Sequence, residues 1–166
     1  MIATRYAKIV MMFGLGLFGL IVAVDNVIDY GTNFAFVQHV LSMDTTFPGN
    51  ALTWRAITTP LLHQAGYWLI ILAEAVTGLC FFLCAWKLTM NLKASAQAFH
   101  HAKSFGVIAA TIGFANWFIG FMVVGGEWFA MWQSKVWNGQ QSAFQFYATM
   151  LIVLVFLVQR DDELIS

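Results

Sequence analysis

The sequence predicts an all-α membrane protein: a four-helix transmembrane bundle with two short interfacial helices on its outer side. Three observations predict it. Of 166 residues, 60% are hydrophobic and only 10% are charged, whereas soluble domains carry about 25% charged residues. Four stretches approach the roughly 20 apolar residues that a helix needs to cross the hydrocarbon, at about residues 7–25, 61–86, 105–125 and 142–158. The basic residues fall unevenly between these stretches. Residues 1–166 read as a single four-span domain, with no internal repeat or low-complexity segment.

In the first span, Arg5 and Lys8 precede the apolar run, as they would in a signal peptide. No small-x-small cleavage site follows, and the run ends "VAVDN", with Asp25 where a small residue would be wanted, so the span is expected to remain uncleaved. "GLGLFG", Gly14 to Gly19, matches the spacing of a dinucleotide-binding turn, but no strand precedes it. Its glycines read instead as helix-packing positions, with Gly19 and Ala23 forming a small-xxx-small pair.

After it, "NFAFVQHVLSM" places Phe36, Val37, Val40 and Leu41 at helical spacing, which predicts a short helix lying in the interface. Pro48-Gly49 marks a turn. Thr59 as N-cap and Pro60 at the first helical position start the second span. Cys80 and Cys84 sit inside that span and read as small packing residues rather than a disulfide. The loop "KLTMNLKASAQAFHHAKS" is polar and basic, and His100 and His101 are expected to face water. The third span leads into "GEWFAMWQSKVWNG", where Trp128, Met131 and Trp132 predict a second interfacial element. The fourth span has the least certain outer boundary because it begins with polar residues.

Orientation follows from charge. Arg5, Lys8, Lys87, Lys93, Lys103 and Arg160 fall on one side of the spans, and only Arg55 and Lys135 on the other. The positive-inside rule then places both termini in the cytoplasm. Trp54, Trp68, Trp128, Trp132 and Trp137 gather at the opposite boundary as an aromatic belt. Net charge is zero, so no bulk field favours nucleic acid, and none is expected as a partner.

Among candidate site residues, Glu74 stands out as an ionisable acid deep in the second span. An isolated carboxylate in hydrocarbon costs at least about 2.5 kcal/mol, so it should be protonated, paired or turned to the bundle interior. At 1.5 Å per residue, Glu74 and Asn116 reach similar depths on antiparallel spans. Thr77 lies one turn from Glu74, and Trp117 carries a buried indole N–H in need of an acceptor. These four residues define an intramembrane polar site, read either as a Glu74–Asn116 clamp that fixes helix pairing or as a proton, ion or ligand site. The outer margin gathers Asp25, Asn26, Asp29, Asp44, Arg55 and Glu127, where Arg55 is expected to pair with Asp25, Asp29 or Asp44. His39, Met43, His63 and Met131 form a further set with donors suited to copper, or to zinc with added carboxylate. No segment carries a dense ligand motif, no span carries a histidine at mid-depth for haem, and no cofactor is predicted.

"DNVIDYGTNFAFVQHVLSMDTTFPGN", "WRAI", the acidic second span and "GEWFAMWQSKVWNGQ" resemble the bacterial predicted small integral membrane proteins of domain-of-unknown-function family 2165. The resemblance covers nearly the whole chain. It implies a four-span protein of the bacterial inner membrane and supplies no catalytic residue or cofactor.

No nucleophile-base pair, phosphate-binding loop or strong metal motif is evident, and the loops are too short for a catalytic domain. The preferred expectation is a non-enzymatic accessory or scaffolding subunit that binds another membrane protein or lipid, or a second copy of itself. The alternative is a small transporter or proton-conducting component using Glu74. A metal-handling or intramembrane enzyme at the outer face comes third.

Overall fold

The computed structural model describes residues 1–164. Four helices are long and apolar enough to cross a membrane: Ile2–Ile28, Pro60–Met90, Ala96–Trp128 and Gln140–Val158. The first is α1. Only Asp29 separates it from α2, Tyr30–Ser42, and α3 is Pro60–Met90. The third apolar stretch is composite: a short α4, Ala96–His101, then α5, Ser104–Phe114, then a π-helical segment, Ala115–Trp128. The last span is α6, Gln140–Val158.

Local chemistry accounts for several boundaries. Pro60 takes the first position of α3, where its missing N–H removes no helical bond. Thr59 is the N-cap residue there, although its side chain makes no capping hydrogen bond. Ser95 does cap α4, its Oγ accepting from the Ala98 N–H at 3.2 Å. The α2 helix ends on Met43 in a left-handed conformation, φ 53°.

The two outer elements differ from a pair of surface-lying helices. The α2 helix exists but buries Val37 and Val40 against the bundle. It packs that apolar face against α3. The expected second interfacial helix is a single 3-10 turn, Met131–Gln133. Its residues were divided between two elements when the third span ran on to Trp128. Phe129, Ala130 and Met131 then join Val40 and Met43 in an outer apolar cluster.

The α3 helix is the central element, packing on α1, α2, α5 and the π-helical segment. Its buried stripe runs His63, Tyr67, Ile71, Glu74, Thr77, Gly78, Phe81, Cys84, Ala85 and Leu88, which is the three-and-four spacing of one helix face. The tightest contact is with α1. A Cβ added at Gly19 would sit 2.9 Å from the Gly78 Cα, and one at Gly78 would sit 2.7 Å from the Leu20 backbone nitrogen. In a membrane, where lipid offers as much apolar contact as another helix, such close backbone approach is a main source of helix association. The main apolar core of the bundle includes Met12, Phe81, Leu88, Phe99, Met150 and Leu157.

Gly78→Ala forces backbone apart and should lower stability by about 1–3 kcal/mol. Gly14→Ala meets nothing within 4 Å and should change stability by less than about 1 kcal/mol. Thermal unfolding of the two variants in one detergent, followed by helical circular dichroism, reads this difference.

Candidate functional site: a buried carboxylate beside a cavity

The glycine contact sets the height of every residue above it. Asn26 lies seven residues outward from Gly19 along α1, about 10 Å at 1.5 Å per residue. On the antiparallel α3, Glu74 lies about 6 Å outward from Gly78 and Tyr67 about 16 Å. Asn26 therefore falls between them, and it bonds both. Its Nδ2 donates to Glu74 Oε2 at 2.7 Å. Its backbone carbonyl accepts from the Tyr67 hydroxyl at 2.8 Å. Glu74 and Tyr67 are each 2% exposed. Among the described residues, Glu74 Oε1 accepts no hydrogen bond.

Glu74 borders a cavity of about 190 Å³. Five aromatic side chains, Phe36, Tyr67, Trp117, Phe121 and Phe146, stand among aliphatic ones in its walls. The polar remainder is Asn26, Asn33 and Ser142. The cavity thus runs from buried Glu74 to Ser142 near the start of α6, where the side chain is exposed. Trp117 is 2% exposed and packs edge-on against Phe146, with ring centroids 5.7 Å apart.

The residues expected to join Glu74 divide. Trp117 lines the same cavity. Asn116 does not clamp Glu74: its Nδ2 is buried without a partner, as is the Thr77 hydroxyl. Two physical reasons account for the exchange of Asn116 for Asn26. The glycine contact brings α1 close enough for Asn26 to reach first. The π-helical segment also begins at Ala115, so its wider turn moves Asn116 off the position that α-helical spacing assigns. The i→i−5 bonding persists at the end of the segment, where the Phe129 N–H donates to the Val124 carbonyl at 3.0 Å. Tyr67 was missed as a site residue although its spacing of seven from Glu74 put both on one face.

The outer acidic residues do not form the expected network. Asp25, Asp29 and Glu127 are exposed. Arg55 pairs with none of them. Its guanidinium lies over Trp128 at 4.5 Å and Trp54 at 5.3 Å, and Nη1 donates to the Trp128 carbonyl at 3.2 Å. Indole faces and a carbonyl hold this weakly hydrated guanidinium without a carboxylate, although its Nε is buried without a partner. Asp44 instead accepts from His39 Nδ1 at 2.8 Å, and the His39 ring stacks on Trp137.

The His and Met set is likewise dispersed among other partners. His63 Nε2 donates to the Ile57 carbonyl at 2.6 Å, and Met43 and Met131 are core residues of the outer cluster. No group of three or more His, Cys, Asp or Glu side chains gathers among the described residues.

The opposite end of the bundle holds a second charged cluster. Arg5 and Lys8, read from sequence as loop-side topology signals, are 0% and 1% exposed, and Lys103 is 2% exposed. Lys8 Nζ donates to Asp161 Oδ1 at 2.9 Å and to the Gln159 carbonyl at 2.8 Å. Lys103 pairs with Asp161 Oδ2 and also donates to the Gln159 carbonyl. Arg5 donates to the carbonyls of Leu92, Ala94 and Asp162. The N-terminus, the loop after α3 and the C-terminal segment are thereby tied together at one end. No sequence signal distinguishes these buried cations from exposed ones, because their partners are mostly backbone carbonyls far along the chain.

Residues 4–160 match the model of a family described as predicted small integral membrane protein, DUF2165. The chain belongs to this family. Neither a curated protein nor a solved structure matches it. Family membership and the four apolar helices agree that the chain is an integral membrane protein in contact with the lipid bilayer.

Asn26→Ala removes the donor to buried Glu74 and should destabilise by about 1–3 kcal/mol. Asn116→Ala removes an amide nitrogen that bonds nothing and should be the milder change. Unfolding midpoints of the pair in detergent compare the two directly.

Burial alone would raise the Asp161 pKa, but hydrogen bonds and charge from Lys103 and Lys8 outweigh it and hold the carboxyl below its ordinary value of 3.8. A carboxyl depressed by folding adds stability that is fully present above its unfolded value and is lost as pH falls through the folded one. Asp161→Asn should therefore cost about 3–5 kcal/mol at neutral pH, since it strands two buried ammonium groups. Asp162→Asn, at an exposed side chain, should change stability by less than about 0.5 kcal/mol. The gap between these variants should close only in acid below about pH 3.8, as read by unfolding midpoints across a pH series.

Proposed function

We propose that this chain is a non-enzymatic component of a membrane transport or ligand-sensing system that works through Glu74. The observation that carries the reading is a carboxylate, 2% exposed, beside a cavity that extends to the exposed Ser142. Only one of its oxygens is engaged by a protein donor. A group so placed can take up a proton or neutralise a cation, and intramembrane acids that face a cavity characteristically do so.

The accessory-subunit reading is retained for assembly rather than chemistry. Four spans make a narrow bundle, and the Glu74 cavity lies within one chain. A continuous path across the membrane would need a second copy of this chain or another membrane protein as partner. We place the protein in the bacterial inner membrane with both termini cytoplasmic. The joined end that carries Arg5, Lys8, Lys103 and Arg160 supplies the positive-inside bias.

Glu74→Gln should keep the fold, because an amide can still accept from Asn26, and should abolish Glu74-dependent flux. The measurement is proton uptake into proteoliposomes under an imposed potential, with circular dichroism confirming equal folding. Equal flux through wild type and variant would remove Glu74 from the mechanism.

A further inference from the structure

The Glu74 cavity has an apolar neighbour. A second cavity of about 240 Å³ lies beside it, and the two share four wall residues: Phe36, Val37, Ile70 and Phe121. The remaining walls of the second cavity carry Val40, Leu41, Leu69, Val124, Phe129 and Met131, with glycines that include Gly66 and Gly125. No ionisable side chain lines it. Leu69 and Val124 are exposed on the lipid-facing surface of the chain.

The π-helical segment borders both cavities. Trp117 and Phe121 line the first; Gly120, Phe121, Val124 and Gly125 line the second. Extended π-helix is rare, and short π-helical turns concentrate at functional sites. Here the irregular segment contributes to both cavities, and Phe121 is its residue in the wall that they share with Phe36 and Val37 of α2 and Ile70 of α3.

We propose that the two cavities form one bipartite site for an amphipathic organic cation, a protonated amine or quaternary ammonium bearing a hydrocarbon group. This rests on the reading of Glu74 as a working group. The cationic head occupies the aromatic cavity against Glu74, and the hydrocarbon lies in the apolar cavity.

Charge and donor chemistry select this class. Among the described residues, Glu74 is the only carboxylic acid lining the first cavity, and no Lys, Arg or His lines it, so an anion finds no cationic partner there. Small metal cations want six or more oxygen ligands in a tight shell, and the few oxygens here are dispersed among aromatic walls. An organic cation needs less: one carboxylate and the faces of Trp, Tyr and Phe stabilise it, more strongly when desolvated. A hydrocarbon tail then fills the adjoining space by apolar burial.

The test uses the full chain in lipid nanodiscs, with empty nanodiscs as the partition control. The probes are hexyltrimethylammonium, tetramethylammonium, hexanol and hexyl sulfate, and tryptophan fluorescence reads binding. Hexyltrimethylammonium should saturate a single site and bind roughly tenfold or more tighter than hexanol or hexyl sulfate, a difference of about 1.4 kcal/mol or more. Glu74→Gln should erase that preference. Gly66→Leu fills the apolar cavity, where a Cβ at Gly66 meets only side-chain atoms at 3.7 Å or beyond. It should remove the advantage of hexyltrimethylammonium over tetramethylammonium and leave tetramethylammonium binding intact.

Equal binding of hexanol and hexyltrimethylammonium, indifferent to Glu74→Gln, would overturn the cation class. If proton flux depends on Glu74 and no organic cation saturates, the transport reading stands and the bipartite site falls. If neither flux nor binding responds to Glu74→Gln, both fall together.

Discussion

The backbone contact between Gly19 and Gly78 is the constraint on which the rest of the structure depends. With no side chains between them, α1 and α3 approach as closely as two helices can, and their relative height becomes fixed. A residue with a Cβ at either position would meet backbone at under 3 Å. From that fixed register, Asn26 falls between Glu74 and Tyr67 and bonds both. The polar site is thus a consequence of small residues several ångströms away. In hydrocarbon this matters doubly, because an acid left without a donor has no water to turn to.

The π-helical stretch of the third span acts on the same site from the other side. Its wider turn displaces Asn116 from Glu74 while setting Trp117 and Phe121 as cavity walls. A regular α-helix would space these residues differently. The aromatic lining and the irregular backbone are therefore one feature. The buried Asn116 amide and the buried Thr77 hydroxyl of α3 are both without partners, where polar groups are normally paired.

At the far end, Arg5, Lys8, Lys103 and Asp161 close the bundle with buried charge. Two ammonium groups share one carboxylate, and carbonyls of the loop after α3 and of the C-terminal segment accept from Lys8, Lys103 and both terminal nitrogens of Arg5, leaving the Arg5 Nε unpaired. Such a cluster binds three distant parts of the chain at the end of the bundle that carries both termini. The two ends therefore differ in chemistry: buried charge ties one, and aromatic and apolar cavities lie toward the other.

The sequence by itself determined the fold class, the four spans and the depth of Glu74, because these depend on composition and on the rise of a helix. Hydrophobic length is additive along the chain and needs no knowledge of neighbours. It also identified Trp117 as a buried residue near the acid, and Gly19 as a packing position. Tertiary structure alone decided which donor Glu74 receives, since Asn26 and Asn116 are equally amides and differ only in helix rotation and register. Arg55 turned to indoles rather than carboxylates for a related reason: several partners were chemically adequate, and proximity chose among them. The burial of Lys8 and Lys103 was equally hidden, because a lysine at a span boundary looks the same whether it meets water or a carboxylate far along the chain. Pairwise contacts of this kind are set by how helices lie against one another, and no period or motif within one segment encodes that.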